Sequence, residues 1–532
     1  MGFIAADRNQ LNLFGYSLDD FVPPEAKCRF VVDIVGQLVL SELYADYSEQ
    51  GGDAYEPQAM LATWFFAYSE GVSSTRRLEE LCRRDMHYIY ASANLQPDHC
   101  GLSRFRQRHA GRLPDLFVQI IRLAKERGVS GFGRIMTDGT KMEAASSSRQ
   151  NRDSKELQCE LGRIRERIAD YLEQSELLDE EQDEEALQLA QVRSKMQKLA
   201  DMEQRLLERQ QQLHERKKTL QSKDRSKHKI NLVEPQARSM KQVNGRPAAP
   251  AYNAQLSVDA DSQLIVAAEV TDQPNDRGQF SKQHAQVEKN LGADPHRQYT
   301  ADAGYHSLEQ LEYVDQQKVD IVMAEPRPES RAAQGAEARP PDQSDEPFKR
   351  ADFRYDSQRD RYECPAGRRL TYWYTESKRG RRIRHYRASG CAGCRLRERC
   401  LKGCKPDSDR TITRDEAEHL AEAMYEKARG PEGRHRLKLR ARTVEPVIGN
   451  LKANLGFRRF HLRGKAKAGA ELVLMCIGHN LGKLHRLMTD PERADSALVA
   501  TIAPVLASFC RWLKGITHRT RPFPAPSLAH TL

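Results

Sequence analysis

The stretch Arg440-Ala441-Arg442-Thr443-Val444-Glu445-Pro446-Val447-Ile448-Gly449-Asn450-Leu451-Lys452 decides how the rest of this sequence is read. Glu445 and Lys452 are seven residues apart, which on a helix places them on one face two turns apart. Arg442 precedes the acid by three residues and flanks it on the same side. A carboxylate bracketed by cations is suited to meet phosphate and metal together. Pro446 fits a helix that starts or kinks at the acid.

Working outward, two more acids stand at the ends of short strand-like runs: Asp138 after Arg134-Ile135-Met136-Thr137, and Asp302 after Gln298-Tyr299-Thr300-Ala301. An acid in such a place is by itself an N-cap or a turn former. Three carboxylates spread over a mixed sheet and a later helix say more. Mg²⁺ takes oxygen ligands, commonly one or two carboxylates plus phosphate oxygens. Two such ions activate an attacking water or hydroxyl and stabilise the leaving oxygen of an in-line displacement.

Around these acids the chain divides by pattern. Residues 1–127 read as short helices, with Met60, Leu61, Trp64, Phe65, Tyr68, Leu78 and Leu81 in helical spacing and breaks at Gly71-Val72-Ser73-Ser74 and Gln96-Pro97-Asp98. Local basic density suits an all-α DNA-binding module, with Arg104, Arg106 and Arg108 as candidate contacts, or else a helical dimer or packing domain. Spaced two apart, the three cannot share one helical face, so some must serve structure or the phosphate backbone instead. Residues 128–150 open an α/β core. Residues 151–230 predict a helical hairpin, from the seam Leu157, Leu161, Ile164, Ile168, Leu172 and the heptad Leu199, Leu206, Leu213, Leu220, with acidic residues 179–185 between them. Residues 231–325 return to strands and helices, 326–350 form a linker, 413–487 are helical and carry Glu445, and 488–532 are a tail.

The segment 351–412 stands apart. The chain of 532 residues has 85 basic and 75 acidic residues, a net charge of +10. Residues 361–410 alone hold 15 basic and 5 acidic residues, which is the whole excess. Concentrated positive charge suits a polyanion partner, or else a solvated basic face. Lys378-Arg379-Gly380-Arg381-Arg382-Ile383-Arg384 is the tract suited to phosphates, and Trp373, between Tyr372 and Tyr374, belongs either to a core or to a stack on an unpaired base. The same hydrophobe-poor insert carries Cys364, Cys391, Cys394, Cys400 and Cys404. Cys391-x-x-Cys394 is a zinc half-site that Cys364 and Cys400 can complete as an all-thiolate set, with Cys404 as an alternative ligand; the other reading is a set of reduced thiols. Collagen-like, mucin-like and wholly disordered classes are excluded by 32 Gly, 24 Pro and clear apolar periodicity. The longest uncharged stretch, Ser496 to Cys510, is too short to span a bilayer, and the N-terminus has no secretory pattern. A cytoplasmic, nucleoid-associated protein is expected.

Thr137-Asp138-Gly139-Thr140-Lys141, then Thr300-Ala301-Asp302-Ala303-Gly304-Tyr305, then Arg442-x-x-Glu445-Pro446-x-x-Gly449-x-x-Lys452 resemble the catalytic blocks of DDE transposases of bacterial insertion sequences. The resemblance is closest to the insertion sequence 1182 family. It extends over roughly residues 50–485 through Tyr55-x-Pro57, Gly71-Val72-Ser73-Ser74-x-Arg76, Pro97-Asp98-His99, Phe105-Arg106, Tyr252-Asn253-Ala254-Gln255, Asn275-Asp276-Arg277 and Leu462-Arg463-Gly464. It implies a ribonuclease H-like core, a mixed five-stranded sheet with helices, interrupted by the helical hairpin and by the Cys-rich insertion. It further implies that Asp138, Asp302 and Glu445 hold two Mg²⁺ or Mn²⁺ ions while Lys452 and Arg442 position the DNA backbone. The implied partners are double-stranded DNA, as terminal inverted repeats and as target, and further copies of the chain in a homodimer or larger synaptic complex, with no membrane. Two other readings share these residues: a transposase-derived regulatory protein without catalysis, and a metal-dependent nuclease without strand transfer. Three acids kept together with Lys452 argue against the first.

Overall fold

In a computed structural model of the chain, the residues described are 3–4, 6–11, 15–47, 54–179, 186–218, 228–242, 246–325, 347–378 and 380–489. They fall into two compact units, residues 1–276, 282–297 and 440–532 in the first, and 277–281 and 298–439 in the second.

The first unit opens with helices whose starts were legible as breaks. Helix α1 (Pro57–Ser69) has Pro57 in its first turn, where no backbone donor is needed, and Glu56 as a cap accepting from the Ala59 N–H. Trp64, Phe65 and Tyr68 are fully buried along it. Ser74 caps α2 (Thr75–Arg84), and Asp98 caps α3 (His99–Arg108) by accepting from the Gly101 N–H at 2.8 Å. Between α1 and α2, Gly71 has φ +75°, and a Cβ there would lie 2.7 Å from the Leu455 carbonyl oxygen, so the turn needs glycine on both counts.

Strand β1 (Arg134–Glu143) follows, then the hairpin α4 (Ser154–Asp179) and α5 (Ala186–Lys218). Leu157, Leu161 and Ile164 pack on Leu199, Leu206 and Leu213, as the spacing predicts. Leu172, assigned to the same seam, is 46% exposed. Leu220 and residues 180–185 lie outside the described residues. Strands β2 (Arg238–Met240), β3 (Ala249–Asp259) and β4 (Ile265–Thr271) complete the unit's sheet. Strand β3 pairs antiparallel with β1, β2 and β4, and its register sets Asp138 opposite Leu256.

The second unit begins with β5 (Gln298–Ala301) and β6 (Asp320–Met323), parallel neighbours joined through α6 (Leu308–Gln317). Parallel strands need such a crossover. The Cys-rich segment then forms a five-stranded antiparallel meander, β7 (Arg354–Asp356), β8 (Arg361–Glu363), β9 (Arg369–Lys378), β10 (Arg381–Ala388) and β11 (Thr411–Asp415). The expectation of a hydrophobe-poor insert is corrected here. Phe348, Phe353, Tyr362, Leu370, Tyr386, Ala388 and Ile412 form a buried core, and the Arg414 guanidinium lies 3.8 Å from the Tyr355 ring centroid. The chain returns to the first unit along α7 (Pro431–Gly449), and α8 (Lys465–Thr489) ends the described residues with Leu472, Leu474, Met475, Cys476 and Ile477 all buried. Antiparallel and parallel pairing together with the helical N-terminal region make a mixed α/β chain consistent with a general ribonuclease H-like, transposase-type fold. Among the described residues, no helix is long and apolar enough to cross a membrane.

Candidate active site

Asp138 sits midway along β1, half-buried, and not at a strand end as expected, because the strand runs on to Glu143. Its Oδ2 accepts from Arg440 Nη1 at 2.7 Å and its Oδ1 accepts from the Gly139 N–H at 2.8 Å. Arg440 belongs to the quoted stretch, yet sequence reasoning singled out Arg442 and missed it. A charged residue on the same helix as Glu445 was the available signal. The two side chains are only 15% and 17% exposed, so the pair is weakly screened. The Nε of Arg440 is buried with no hydrogen-bond partner among the described residues.

Behind Asp138, on the opposite pleat, Gly139 is closely covered. A Cβ there would fall well inside contact distance of Asp276 Oδ1 and lie 2.5 Å from Gln255 Nε2. Asn253 and Gln255, both fully buried on β3, donate to that same Asp276 oxygen at 2.8 and 2.6 Å. The brace fixes the strand on which Asp138 stands.

Glu445 is exposed on α7, as is Arg442. After Gly449 the helix continues as a π-helical turn, Asn450–Asn454. A π turn takes an extra residue, so Lys452 leaves the α-helical register that would align it with Glu445. It packs instead against β1, its Nζ donating to the Lys141 carbonyl at 2.7 Å. Burial, with the nearby Lys141 charge second, pushes its pKa down to about 8.

Asp302 lies in the second unit, where it caps the turn Ala303–Tyr305 and accepts from the Gly304 N–H at 2.9 Å. Thr300 Oγ1 and His306 Nε2, close to it in sequence, are buried without a hydrogen-bond partner among the described residues. His306 stacks on Tyr425 with ring centroids 4.9 Å apart, and burial lowers its pKa. Among the described residues, no group of three or more His, Cys, Asp or Glu side chains is arranged to hold a metal ion.

The cysteines show a partial gathering. Cys364, Cys391, Cys394 and Cys400 line one pocket with Phe348, Leu396 and Leu401, whereas Cys404 is exposed. The turn at Cys364 closes through Gly367 N–H to the Cys364 carbonyl at 2.8 Å, and the Arg368 N–H points at Cys364 Sγ at 3.3 Å.

The candidate DNA contacts separate. Arg104 and Arg108 are exposed, the latter with its guanidinium 5.0 Å from the Tyr47 ring centroid. Arg106 is not available: it is 8% exposed, lies 4.7 Å from the Trp64 ring centroid, and donates to Tyr68 Oη and the Ser73 carbonyl. Its role is to hold α3 on α1. In the basic tract, Arg381 is paired with Asp415 and Glu312, Arg382 with Glu416, and Arg384 with Asp360. Lys378 is exposed, and Arg379 lies outside the described residues. Trp373 is 53% exposed and not a core aromatic. The register between β9 and β10 slips between Tyr372 and Tyr374, a bulge that re-aims the intervening ring, and the Arg387 guanidinium sits 5.0 Å from its centroid.

Two family models match parts of the chain. One, described as Transposase DDE domain, matches residues 363–485, which include Glu445, Lys452 and the pocket cysteines. The other, described as Transposase domain (DUF772), matches residues 16–108 and thus α1, α2 and α3. No curated protein and no solved structure matches the chain.

Proposed function

Because the two matched segments indicate a transposase-family protein, we propose that the chain is a DNA transposase that binds the terminal inverted repeats of its own element, hydrolyses the DNA ends and joins them to target DNA. The observation that carries this reading is Asp138, held on β1 by Arg440 from the helix that also bears Glu445. The insertion sequence 1182 family remains the closest resemblance, and a homodimer or larger assembly on DNA is the working form.

Asp138, Asp302 and Glu445 offer hard carboxylate oxygens and would hold two Mg²⁺ or Mn²⁺ ions. When bound, such ions activate water, and later the freed 3′ hydroxyl, for attack on phosphorus. The chain's own residues do the rest. Arg440 offsets the Asp138 charge and keeps the carboxylate aimed along one direction. Arg442, exposed beside Glu445, takes a backbone phosphate. Lys452 ties the π turn to β1 and adds positive charge beside it. Exposed Arg104 and Arg108 contact the element ends, and Lys378 and Trp373 contact DNA near the cut. One Zn²⁺ on Cys364, Cys391, Cys394 and Cys400 would staple the second unit. The four thiols lining one pocket, with a backbone N–H aimed at Cys364 Sγ, support that assignment.

The test uses the full chain and duplex DNA carrying the sequences that flank its coding region. Nicking at the element boundary in Mg²⁺ buffer, abolished by chelator, is the expected result. No cleavage of any flanking duplex in Mg²⁺ or Mn²⁺ overturns the function, and cleavage that survives chelator overturns the metal chemistry.

A further inference from the structure

From the end of the π turn into the first residues of α8 the chain reads Gly456-Phe457-Arg458-Arg459-Phe460-His461-Leu462-Arg463-Gly464-Lys465-Ala466-Lys467. Phe457 and Phe460 are 2% and 0% exposed, while Arg458, Arg459, His461, Arg463 and Lys467 all face solvent. Apolar residues anchor this segment, while Arg458, Arg459, Arg463 and Lys467 point out and Lys465 is half-buried.

Its backbone is fixed at each end. The Phe460 N–H donates to the Glu143 carbonyl at 2.8 Å and the Glu143 N–H to the Arg458 carbonyl at 3.2 Å, so the loop runs parallel to the end of β1, the strand of Asp138. The fully buried Glu471 carboxylate accepts from the His461 and Leu462 N–H groups, both at 2.9 Å. Buried Glu234 takes the Gly464 N–H at 3.0 Å, and Gln236 takes the Lys465 N–H at 2.8 Å. Sinking two carboxylates into the protein to pin one surface loop is costly unless they are hydrogen-bonded, which here they are.

The loop's cations are placed differently from those of the Cys-rich tract. Arg459 is paired with Glu143 at 2.9 Å, and Arg458 gives only its Nε, to the Lys452 carbonyl at 3.1 Å. The side chains of Arg463, Lys465 and Lys467 have no hydrogen bond or ion pair among the described residues. With the backbone already pinned, binding a polyanion orders only these side chains and not the loop itself.

Resting on the function proposed above, we infer that Arg458, Arg463 and Lys467 form a phosphate clamp that holds duplex DNA at the Glu143 end of β1, the strand that carries Asp138. The occupant is the DNA backbone, because the surface offers charge and the exposed His461 ring is held by the buried Glu471 carboxylate. Such contacts position DNA without reading its sequence.

The experiment compares the full wild-type chain with the triple variant Arg458→Ala, Arg463→Ala, Lys467→Ala, binding labelled duplex across a series of salt concentrations. Each lost phosphate contact should flatten the slope of log affinity against log salt by roughly 0.9. The three together should weaken binding at moderate salt by about tenfold or more, equally for flanking and random duplex. Exposed side chains are removed, so an unchanged melting temperature shows that folding is intact. Wild-type binding matched in strength and slope by the variant overturns the clamp and leaves the proposed function standing. Failure of the wild type to bind any duplex overturns that function, and the clamp with it.

Discussion

Asp138 meets Arg440, and the distinction from Arg442 is one of helical phase. Two residues along a helix turn a side chain by about 200°, so only one of the two arginines can face β1. The other is left beside Glu445 in solvent. At Lys452 the phase is altered by the π turn, and the result is a lysine with a depressed pKa. The consequence for stability has a definite sign. Below pH about 8 the amine is charged in both states, and the folded state bears the cost of burying the charge. Between about 8 and an unfolded value of about 10.4, the unfolded chain binds the extra proton, so stability rises with pH. The melting temperature of wild type relative to Lys452→Met should therefore climb as pH rises through that window. Parallel melting curves for the two proteins across it would show that Lys452 titrates like a surface lysine.

At the scale of elements, much was legible where apolar spacing has a single period. Leu157 and Leu161 of α4 and Leu199, Leu206 and Leu213 of α5 pack as their 3.5-residue repeat requires, while Leu172 does not. The N-terminal helices begin at the Ser74 and Asp98 breaks because a side-chain oxygen there replaces a missing backbone partner. The meander β7 to β11 was illegible for a physical reason. Two of its strands are three residues long, and its core is built from Tyr362, Tyr386 and a buried Arg414, so no aliphatic alternation appears. Arg106 misled for a related reason: basic density does not tell which guanidinium lies over a buried Trp64. The π turn carries no sequence mark at all. In the same meander, the pocket of four cysteines gives a direct prediction. Protein purified without chelators should contain one zinc per chain, and Cys391→Ser should lower that content. Metal analysis finding no zinc would leave the four as reduced thiols lining an apolar pocket.

Over the whole molecule the positive charge is distributed otherwise than the sequence count suggests. Residues 361–410 hold the entire excess. Yet Arg381, Arg382, Arg384 and Arg387 face Asp415, Glu312, Glu416, Asp360 and Asp409, mostly from outside that window. The Cys-rich sheet thus presents less free charge than its composition implies, while the short loop after α7 presents more. The two family matches span a fraction of the chain each, one at the helical start and one from the meander through α8. Asp138 lies between them, and Asp302 too, so neither acid is covered by a match. The central claim, that Asp138, Asp302 and Glu445 act together in metal-dependent cleavage of DNA, is tested most directly by single replacement of each. Asp138→Asn, Asp302→Asn and Glu445→Gln keep side-chain shape and remove the ligand charge. Assayed as full chains on flanking duplex in Mg²⁺ buffer, each should bind DNA as the wild type does and leave it uncut; near-normal cleavage by any one of them would contradict the claim for that carboxylate.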